Sequence, residues 1–326
     1  MIPSPVSPMS KLTVVVPAYN ESEGLRDFHA RLAAVLDGLD LEAEVLYVDD
    51  GSRDDTYEIM CQLRAADPRV STLRLSRNFG KELALTAGLD HVDADAAVVI
   101  DSDLQDPPEL IPTFVQHWHE GYDVVYGTRA SRAGETGFKK MTASGFYRVM
   151  GRLSATPIPR DTGDFRLLSR RALDALKQVR ERQRFMKGLF TWVGFRQLSV
   201  VYHRDPRHAG QTKWNYWKLW NFAIDGITSF SGAPLKVATY FGMLTALCSF
   251  LFGLWVLGKA MLYGDPVRGY PSLMVVVLFL GGVQLIALGV IGEYLGRLYV
   301  ESKQRPLYLI DEYHRPHDGA RAPASP

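Results

Sequence analysis

The sequence KLTVVVPAYNE at residues 11–21 begins as a run of β-branched residues and ends in polar side chains. The same change recurs in VLYVDDGS at residues 45–52 and in AAVVIDSDLQDPP at residues 96–108. Short apolar runs of this kind predict buried strands. In sheets of parallel strands, ligands bind outside the carboxyl ends of the strands. We therefore expect the three polar clusters to meet along one edge of a sheet.

Segments with helical periodicity separate the predicted strands. Strands are expected at 12–16, 45–48, 70–75, 96–100 and 123–126, and helices at 25–39, 55–66, 81–91 and 108–119. Ser52 and Asp55 resemble a capping box that would start the second helix. Alternating strands and helices predict an α/β fold, with a Rossmann-like, mostly parallel sheet covered on both faces.

Charge and composition exclude several classes of protein. Lys and Arg number 37 against 36 Asp and Glu, whereas a general nucleic-acid binder would carry a basic excess. Cys61 and Cys248 lie far apart and match no metal-ligand spacing, so neither a disulfide framework nor a zinc site is expected. The sequence has no G-x-G-x-x-G after the first strand and no G-x-x-x-x-G-K-[ST]. A Rossmann dehydrogenase and a P-loop kinase are therefore not expected.

Two long uncharged stretches, 237–258 and 270–292, follow the α/β region. About 20 apolar residues cross a bilayer as a helix, so we expect transmembrane helices at 235–262 and 270–297. Two buried core helices are the alternative. Positive charges flank the outer ends of the pair, which predicts cytoplasmic termini and a multi-pass protein. The flanking cations are Lys213, Lys218, Lys236, Arg297, Lys303 and Arg305.

Three further segments have distinct compositions. Residues 1–10 are rich in Pro and Ser without a signal-peptide pattern, and we expect a disordered leader. Residues 214–232 are rich in tryptophan and amphipathic, which predicts an interfacial helix at headgroup depth; a soluble core helix is the alternative. Residues 298–326 are expected to form a cytoplasmic segment and tail, with disorder from residue 314 onward.

Asp101, Asp103 and Gln105 carry oxygen ligands at alternate positions. If this segment stays extended, the three side chains point to the same face. Hard oxygen donors on one face suit Mg²⁺ or Mn²⁺, which take substrate phosphates and water as further ligands. The alternative is an Asp-rich turn that caps the following helix. The position at the end of a buried strand, beside a second acidic cluster, favours the metal site.

As a set, these motifs resemble those of family 2 glycosyltransferases of the GT-A fold. The further motifs are more narrowly similar to bacterial polyisoprenyl-phosphate glycosyltransferases, which are relatives of dolichol-phosphate mannose synthase. The resemblance covers about residues 11–310 and implies a GT-A domain at 11–213. The matching motifs are PAYNE at 17–21, VDDGS at 48–52, DSDLQDPP at 101–108, GTR at 127–129, DTGDFR at 161–166 and IGEYLGR at 291–297.

The resemblance implies a donor site with a divalent metal, Mg²⁺ or Mn²⁺. Asp50 would accept a hydrogen bond from the base and Glu21 one from the ribose. The implied nucleotide-binding residues are Pro17, Ala18, Tyr19, Glu21 and Asp50. The implied metal ligands are Asp101, Asp103 and Gln105.

The resemblance also implies an acceptor site beside the membrane. Asp164 is similar to a residue often assigned as the base, and the implied catalytic residues are Asp101, Asp103 and Asp164. A phosphate monoester has a second pKa of about 6 and is already nucleophilic at neutral pH. Asp164 could therefore orient the acceptor or a cation instead. The implied acceptor-phosphate residues are Arg166, Arg204, Arg207 and Lys213; for the run at 202–213, an ordinary solvated basic surface is the alternative.

Together with the apolar stretches, the resemblance implies an inverting enzyme of the bacterial inner membrane. It would transfer a sugar from a nucleotide diphosphate, expected to be a uridine donor such as UDP-glucose, to undecaprenyl phosphate at the cytoplasmic face. GDP-mannose as donor, a polysaccharide synthase and a catalytically silent scaffold are the alternatives. A synthase should carry the Q-x-x-R-W sequence, and Gln183 is followed directly by Arg184-Phe185. Small residues at Gly281, Gly282 and Gly289 suit helix packing and predict a homo-oligomer.

Overall fold

The computed structural model describes residues 10–129, 162–182, 184–202 and 269–316, together with short stretches between 238 and 262. The described residues fall into two compact units. One contains residues 10–129, 162–202 and 305–316, and the other contains the described positions from 238 to 304.

The first unit is an α/β structure whose strands and helices largely follow the predicted pattern. The strands are β1 (Lys11–Ala18), β2 (Glu42–Asp49), β3 (Val70–Leu75), β4 (Ala96–Val99), β5 (Val124–Arg129), β6 (Thr162–Ser169), β7 (Gln197–Tyr202) and β8 (Ile310–His314). The helices are α1 (Leu25–Leu36), α2 (Thr56–Ala66), α3 (Lys81–Asp90), α4 (Ile111–His119), α5 (Arg170–Gln178) and α6 (Met186–Trp192), and a 3-10 turn at Pro108–Leu110 precedes α4. The helix of the second unit is α7 (Tyr270–Ser302).

The strands form one eight-stranded sheet in the order β7-β5-β6-β4-β1-β2-β3-β8. Strands β4, β1, β2 and β3 are parallel to their neighbours within this central group. Strand β6 runs antiparallel to both β4 and β5, and β8 runs antiparallel to β3. The predicted α/β fold with a mostly parallel central sheet is confirmed. Strands β6, β7 and β8 were not predicted.

Alternation along β1 explains why helices cover both faces of the sheet. Leu12, Val14 and Val16 belong to a core formed with α1, α2 and α4. Val15 points to the opposite face, where it approaches Gly88 of α3. Because both faces are buried, the central strands are nearly continuous apolar runs, as expected for parallel strands.

Gly88 allows α3 to pack closely on the sheet, and Gly88→Ala is expected to destabilise the fold. An added Cβ would lie 2.4 Å from Val15 Cγ1 and 3.0 Å from Val48 Cγ2. Overpacking of this kind costs about 1–3 kcal/mol, and both valines are stiff and buried. The thermal unfolding midpoint of the purified protein measures the effect. The control is Gly24→Ala, since no described atom lies within 4 Å of the added methyl group; equal midpoints for the two variants would contradict the prediction.

The predicted capping box at the start of α2 is wrong. The helix begins at Thr56, and its N-cap Asp55 makes no side-chain capping hydrogen bond. Instead, Ser52 Oγ accepts a hydrogen bond from the backbone N–H of Asn20, 3.0 Å away. The hydroxyl thus joins two loops of the sheet edge, a long-range contact that local sequence spacing does not reveal.

The C-terminal segment extends the sheet. Ser76 N–H donates to the Leu309 carbonyl at 2.9 Å, and Tyr57 Oη donates to Glu312 Oε2 at 2.7 Å on β8. His314 is the last residue of β8, so the expectation of disorder from residue 314 onward is wrong at its start. At the N-terminus, Ser10 of the predicted leader is buried, while residues 1–9 lie outside the described residues.

Helix α7 covers the second predicted membrane span and continues to Ser302, five residues beyond the predicted end at 297. Within the described part of the chain, one helical segment, Phe279–Ser302, is long and apolar enough to cross a membrane. The short described stretches between 238 and 262 are helical, and the rest of the first predicted span lies outside the described residues. The predicted interfacial helix at 214–232 lies outside them as well.

Candidate active site

The carboxyl ends of β1 and β2 form a connected polar edge, as the sequence predicts. Asp50 N–H donates to the Ala18 carbonyl at 3.0 Å, which joins the two strand ends. Asn20 has a φ of 54°, and its Oδ1 accepts from Arg53 N–H at 2.9 Å. Glu21 N–H donates to Thr56 Oγ1 at 2.9 Å. We call this edge, together with the residues that follow the neighbouring strand β4, the sheet rim; it comprises residues 17–21, 49–53 and 101–105.

Asp50 also fixes the loop between β3 and α3. Its Oδ1 accepts from Phe79 N–H at 2.7 Å, and its Oδ2 accepts from Gly80 N–H at 2.9 Å. The side chain is 3% exposed, and burial raises its pKa although these hydrogen bonds oppose the shift. A carboxylate has about four acceptor positions, so a further hydrogen bond to a ligand is possible. The role of Asp50 at the nucleoside stays a prediction.

The other predicted nucleotide-binding residues lie on the same rim. Pro17 and Ala18 are the buried last residues of β1, and Tyr19 and Glu21 follow as partly exposed residues. The structure therefore brings the predicted nucleotide-binding set together at one strand end, with Asp50 beside it. Their contacts with a nucleotide stay predictions.

The extended conformation on which a shared face of 101–105 depends is not found, and the alternative, a turn, is present. Residues 102–104 form a turn, and Leu104 has a φ of 57° with its side chain buried. Within the turn, Gln105 N–H donates to Asp103 Oδ1 at 3.1 Å. The alternation that would place Asp101, Asp103 and Gln105 on one face therefore does not apply. The apolar anchor at Leu104 accounts for the turn, because it buries a large side chain at a strand end.

The donor chemistry of the rim still fits a divalent cation. Among the described residues, no three His, Cys, Asp or Glu side chains are close enough to form a metal site made by the protein alone. Mg²⁺ commonly takes one or two carboxylates and completes its shell with substrate phosphates and water. Asp101 and Asp103 offer carboxylates here. Asp164 Oδ1 is buried and has no hydrogen-bond partner among the described residues.

Lys81 bridges two of the predicted catalytic residues. Its Nζ lies 2.7 Å from Asp101 Oδ1 and 2.6 Å from Asp164 Oδ2. The contact arises because β6 runs antiparallel beside β4, with Arg166 opposite Val99, which brings the start of β6 to the rim. Partial burial acts to lower the pKa of Lys81, but the charges of Asp101 and Asp164 outweigh this effect and raise the pKa above its usual value. The ammonium stays charged at neutral pH.

Asp164 is held as a carboxylate by its surroundings. Burial acts to raise its pKa, but the charges of Lys81, Lys187 and Arg166 outweigh burial and hold it well below the usual value. A group with such a low pKa is a poor proton acceptor at neutral pH. The geometry therefore favours the alternative in which Asp164 orients a cation or the acceptor.

Arg166, a predicted acceptor-phosphate residue, is 4% exposed. Its Nη2 donates to the Gly163 carbonyl at 2.9 Å, and its Nε donates to the Asp164 carbonyl at 3.3 Å. The guanidinium also lies 3.8 Å from the centre of the Phe190 ring. Burial lowers its pKa to about 10, which leaves it charged at neutral pH. These contacts hold the backbone beside Asp164, and direct contact with the lipid phosphate stays a prediction.

Glu82, next to Lys81, has an unusual protonation state. Its Oε2 accepts from Met186 N–H at 3.0 Å at the start of α6. Burial and the nearby Asp164 carboxylate raise its pKa to about 7, against the opposing effects of the Met186 hydrogen bond, Lys81 and Lys187. No motif in the sequence marks Glu82 as a site residue.

The raised pKa of Glu82 predicts a pH-dependent stability. The unfolded chain loses this proton near the ordinary value of 4.5, whereas the folded protein keeps it up to about 7. The folded state therefore binds more protons in this window, and its stability falls as the pH rises across it. As the pH rises from 5 to 8, the thermal unfolding midpoint of the wild type should therefore decrease relative to that of Glu82→Gln. Glu58→Gln, at an exposed position of α2, is the control; parallel pH profiles for wild type and Glu82→Gln would disprove the prediction.

Three predicted acceptor-phosphate residues, Arg204, Arg207 and Lys213, lie outside the described residues. The last described residue before them is Tyr202 at the end of β7. Its hydroxyl donates a short hydrogen bond to Asp106, next to the rim. The chain therefore leaves the described sheet close to the rim as it enters the predicted acceptor segment.

Comparison with known proteins identifies the family. Residues 13–177 match the model of glycosyl transferase family 2, and residues 233–298 match the GtrB C-terminal hairpin. The chain is 54% identical over 302 residues to an uncharacterized glycosyltransferase of Synechocystis sp., with 93% of this chain and 95% of that protein covered. It is 47% identical over 305 residues to the SfII prophage-derived bactoprenol glucosyl transferase of Shigella flexneri, with coverage of 94% and 99%.

A solved structure is also similar to the chain. Mannosyl-3-phosphoglycerate synthase from Rubrobacter xylanophilus matches with a TM-score of 0.47 and 16% identity, covering 67% of this chain and 72% of that one. The matches to the two family models cover both the α/β region and the C-terminal apolar region, as the resemblance implied. The chain belongs to glycosyltransferase family 2 and is a glycosyltransferase of the GT-A fold with a GtrB-type C-terminal hairpin.

Proposed function

We propose that this protein transfers glucose from UDP-glucose to a polyprenyl phosphate, with inversion at the anomeric carbon, to give a lipid-linked sugar for the cell envelope. The observation that carries the proposal is the 47% identity, over nearly the whole length of both chains, to proteins named bactoprenol glucosyl transferases. The matching GtrB C-terminal hairpin supports a membrane acceptor.

The donor would bind along the sheet rim. Residues 17–21 and Asp50 would frame the nucleoside, since they meet at the carboxyl ends of two adjacent parallel strands. The diphosphate would then lie toward Asp101 and Asp103, which follow the neighbouring strand β4. A rigid, buried carboxylate at Asp50 suits recognition of one base, because its oxygens are already fixed by the loop at residues 79–80.

Mg²⁺ or Mn²⁺ would be held by Asp103 and Gln105, with Asp101 beside them, and would neutralise charge on the leaving diphosphate. The protein's own contribution is the fixed arrangement around it. Lys81 balances Asp101 and Asp164, and the turn at Leu104 presents Asp103 at the rim.

The lipid phosphate would attack the anomeric carbon from the side opposite the diphosphate. Arg204, Arg207 and Lys213 would bind it, because arginine offers a bidentate fork and lysine a compact charge to phosphate oxygens. The phosphate needs no base to become a nucleophile at neutral pH. Asp164 would therefore act as a fixed negative charge that orients Lys81. Through Lys81 it would help to orient the acceptor.

A panel of sugar nucleotides tests the donor assignment. Purified protein, a polyprenyl phosphate and each of UDP-glucose, UDP-galactose, UDP-N-acetylglucosamine and GDP-mannose would be compared for lipid-linked product. We expect UDP-glucose to give the highest kcat/KM. Preference for GDP-mannose would support the mannosyltransferase alternative, and an extended polysaccharide product would support the synthase alternative.

We propose that the protein is a multi-pass protein of the bacterial inner membrane, with the catalytic domain and both termini in the cytoplasm. The domain division would be a leader at 1–10, a GT-A domain at 11–213 to which β8 is added, an interfacial helix at 214–232, and spans at 235–262 and 270–297. The C-terminal region would continue through 298–326. Gly281, Gly282 and Gly289 on α7 would support close helix packing in a homo-oligomer.

The proposed topology predicts a cytoplasmic signal from a reporter placed after Pro316. The physical reason is the excess of Lys and Arg beyond the outer ends of the two apolar stretches. Paired alkaline phosphatase and fluorescent-protein fusions in a bacterial host measure the side of the membrane. A fusion between the two spans, after Arg268, is the matched control and should report the periplasm. A periplasmic signal after Pro316 would show that one span had been misassigned.

A further inference from the structure

A cavity of about 430 Å³ lies beside the C-terminal end of α3, away from the sheet rim. Helix α3 runs from Lys81 at the rim to Asp90 at the cavity, and ten helical residues span about 15 Å. The cavity is therefore separate from the site that contains Asp101 and Asp164. It is lined by Asp90, Arg180, Arg182, Arg305 and Tyr308, with residues 306–307 completing the wall. We call it the arginine pocket.

The one carboxylate that lines the pocket already has partners. Asp90 Oδ2 lies 2.6 Å from Arg180 Nη1 and accepts a hydrogen bond from Tyr308 Oη at 2.9 Å. The charge of Asp90 is thus balanced by Arg180. Arg182 and Arg305 leave the described lining with a net positive charge.

A fourth arginine adds to this imbalance. Burial lowers the pKa of Arg184, and the charge of Asp90 opposes that shift. The charge of Arg180 lowers the pKa further, so the guanidinium groups of Arg180 and Arg184 lie close enough to interact. Arg184 Nε is buried without a hydrogen-bond partner among the described residues. Even when Glu181 and Glu82, which also act on Arg184, are included, four arginines face three acids. Like charges gathered around a cavity repel one another, and an anion bound between them would relieve that repulsion.

We propose that the arginine pocket binds a phosphate group. Guanidinium forks match phosphate oxygens in a bidentate geometry, and two or three such side chains around one cavity provide the charge that the anion needs. The phosphate could belong to an anionic lipid headgroup or to a soluble phosphate. Arg305 follows shortly after Ser302, the end of the helix segment that is long and apolar enough to cross a membrane, and this proximity in sequence favours a headgroup.

Ligand-dependent thermal stability of the purified full-length protein tests the proposal without measuring sugar transfer. The probes are short-chain phosphatidylglycerol, inorganic phosphate and a short-chain diacylglycerol, each titrated in neutral detergent at constant ionic strength. The double variant Arg182→Gln/Arg305→Gln is compared with wild type. Arg26→Gln, an exposed position on α1, is the matched control. Each midpoint is referred to the same variant without ligand, so a stability change caused by the substitutions themselves is removed.

We expect phosphatidylglycerol to raise the unfolding midpoint of the wild type. The double variant should need at least about ten times more phosphatidylglycerol to reach half of the maximal rise, because it has lost charge-assisted contacts. Arg26→Gln should match wild type. A response to phosphatidylglycerol without one to inorganic phosphate supports a lipid source, and a similar response to both supports a soluble phosphate. The proposal is overturned if wild type responds to neither, if diacylglycerol acts as strongly, or if the double variant titrates like wild type.

Discussion

Replacing Asp103 with asparagine is expected to lower kcat/KM for sugar transfer by about a thousandfold, which corresponds to roughly 4 kcal/mol of transition-state stabilisation. Asp103 lies at the sheet rim in the turn fixed by Leu104, and it would be the principal protein ligand of the metal on the donor diphosphate. Asparagine keeps the shape of the side chain and an oxygen that can accept the hydrogen bond from Gln105 N–H, but it removes the negative charge. The loss should therefore come from weaker metal binding rather than from unfolding.

Two measurements separate these causes. Mn²⁺ binding in the presence of UDP, followed by electron paramagnetic resonance, should weaken in Asp103→Asn, while the thermal unfolding midpoint stays close to wild type. EDTA should suppress wild-type activity, and added Mn²⁺ or Mg²⁺ should restore it. Asp27→Asn, at an exposed position of α1, is the control for charge removal. Full activity of the wild type in a verified metal-free preparation would remove the metal from the mechanism.

Replacing Lys81 with methionine is expected to lower kcat/KM by about a hundredfold. The Lys81 ammonium lies between Asp101 and Asp164, and without it the two carboxylates would repel each other across the rim. Burial raises the pKa of Asp164, and the charge of Lys81 opposes this effect in the wild type. Without that charge, the pKa of Asp164 would rise. Because a smaller fraction of Asp164 is ionised at a given pH, the acid limb of the rate profile should move to higher pH.

The chain offers a close control for Lys81. Lys11 also lies near two carboxylates, 3.8 Å from Glu42 and 3.4 Å from Glu44, but at the opposite edge of the sheet. Lys11→Met should leave the rate profile unchanged. If Lys81→Met and Lys11→Met gave the same kcat/KM and the same pH dependence, the bridge at Lys81 would have no role in positioning the site.

Much of the fold could be predicted because its signals are local. The central strands are buried on both faces and read as uninterrupted apolar runs, and polar residues follow each of them directly. The rim could be predicted for the same reason, since parallel strands bring their carboxyl ends together. Asp50, Asp101 and Asp103 could therefore be placed at one edge from the sequence alone.

The parts that could not be predicted depend on contacts between distant residues. Strand β8 joins the sheet only by pairing with β3, more than 230 residues earlier in the chain. Lys81 has the sequence context of an ordinary surface lysine at a helix start, and its role appears only when antiparallel β6 brings Asp164 beside Asp101. The turn at Leu104 was only the alternative in the sequence analysis, because the shared face of Asp101, Asp103 and Gln105 assumes an extended chain, whereas Leu104 has a positive φ.

The most direct test of the proposed reaction is identification of its product. Purified protein would be incubated with UDP-glucose, undecaprenyl phosphate and Mg²⁺, and the organic-soluble product would be analysed by mass spectrometry and by NMR of the anomeric proton. The account predicts a single hexose joined to the lipid phosphate in the β configuration, inverted relative to the α-linked donor, with release of UDP and almost no product from Asp103→Asn. A product with the α configuration, or no lipid-linked sugar under conditions in which the protein binds UDP-glucose, would contradict it.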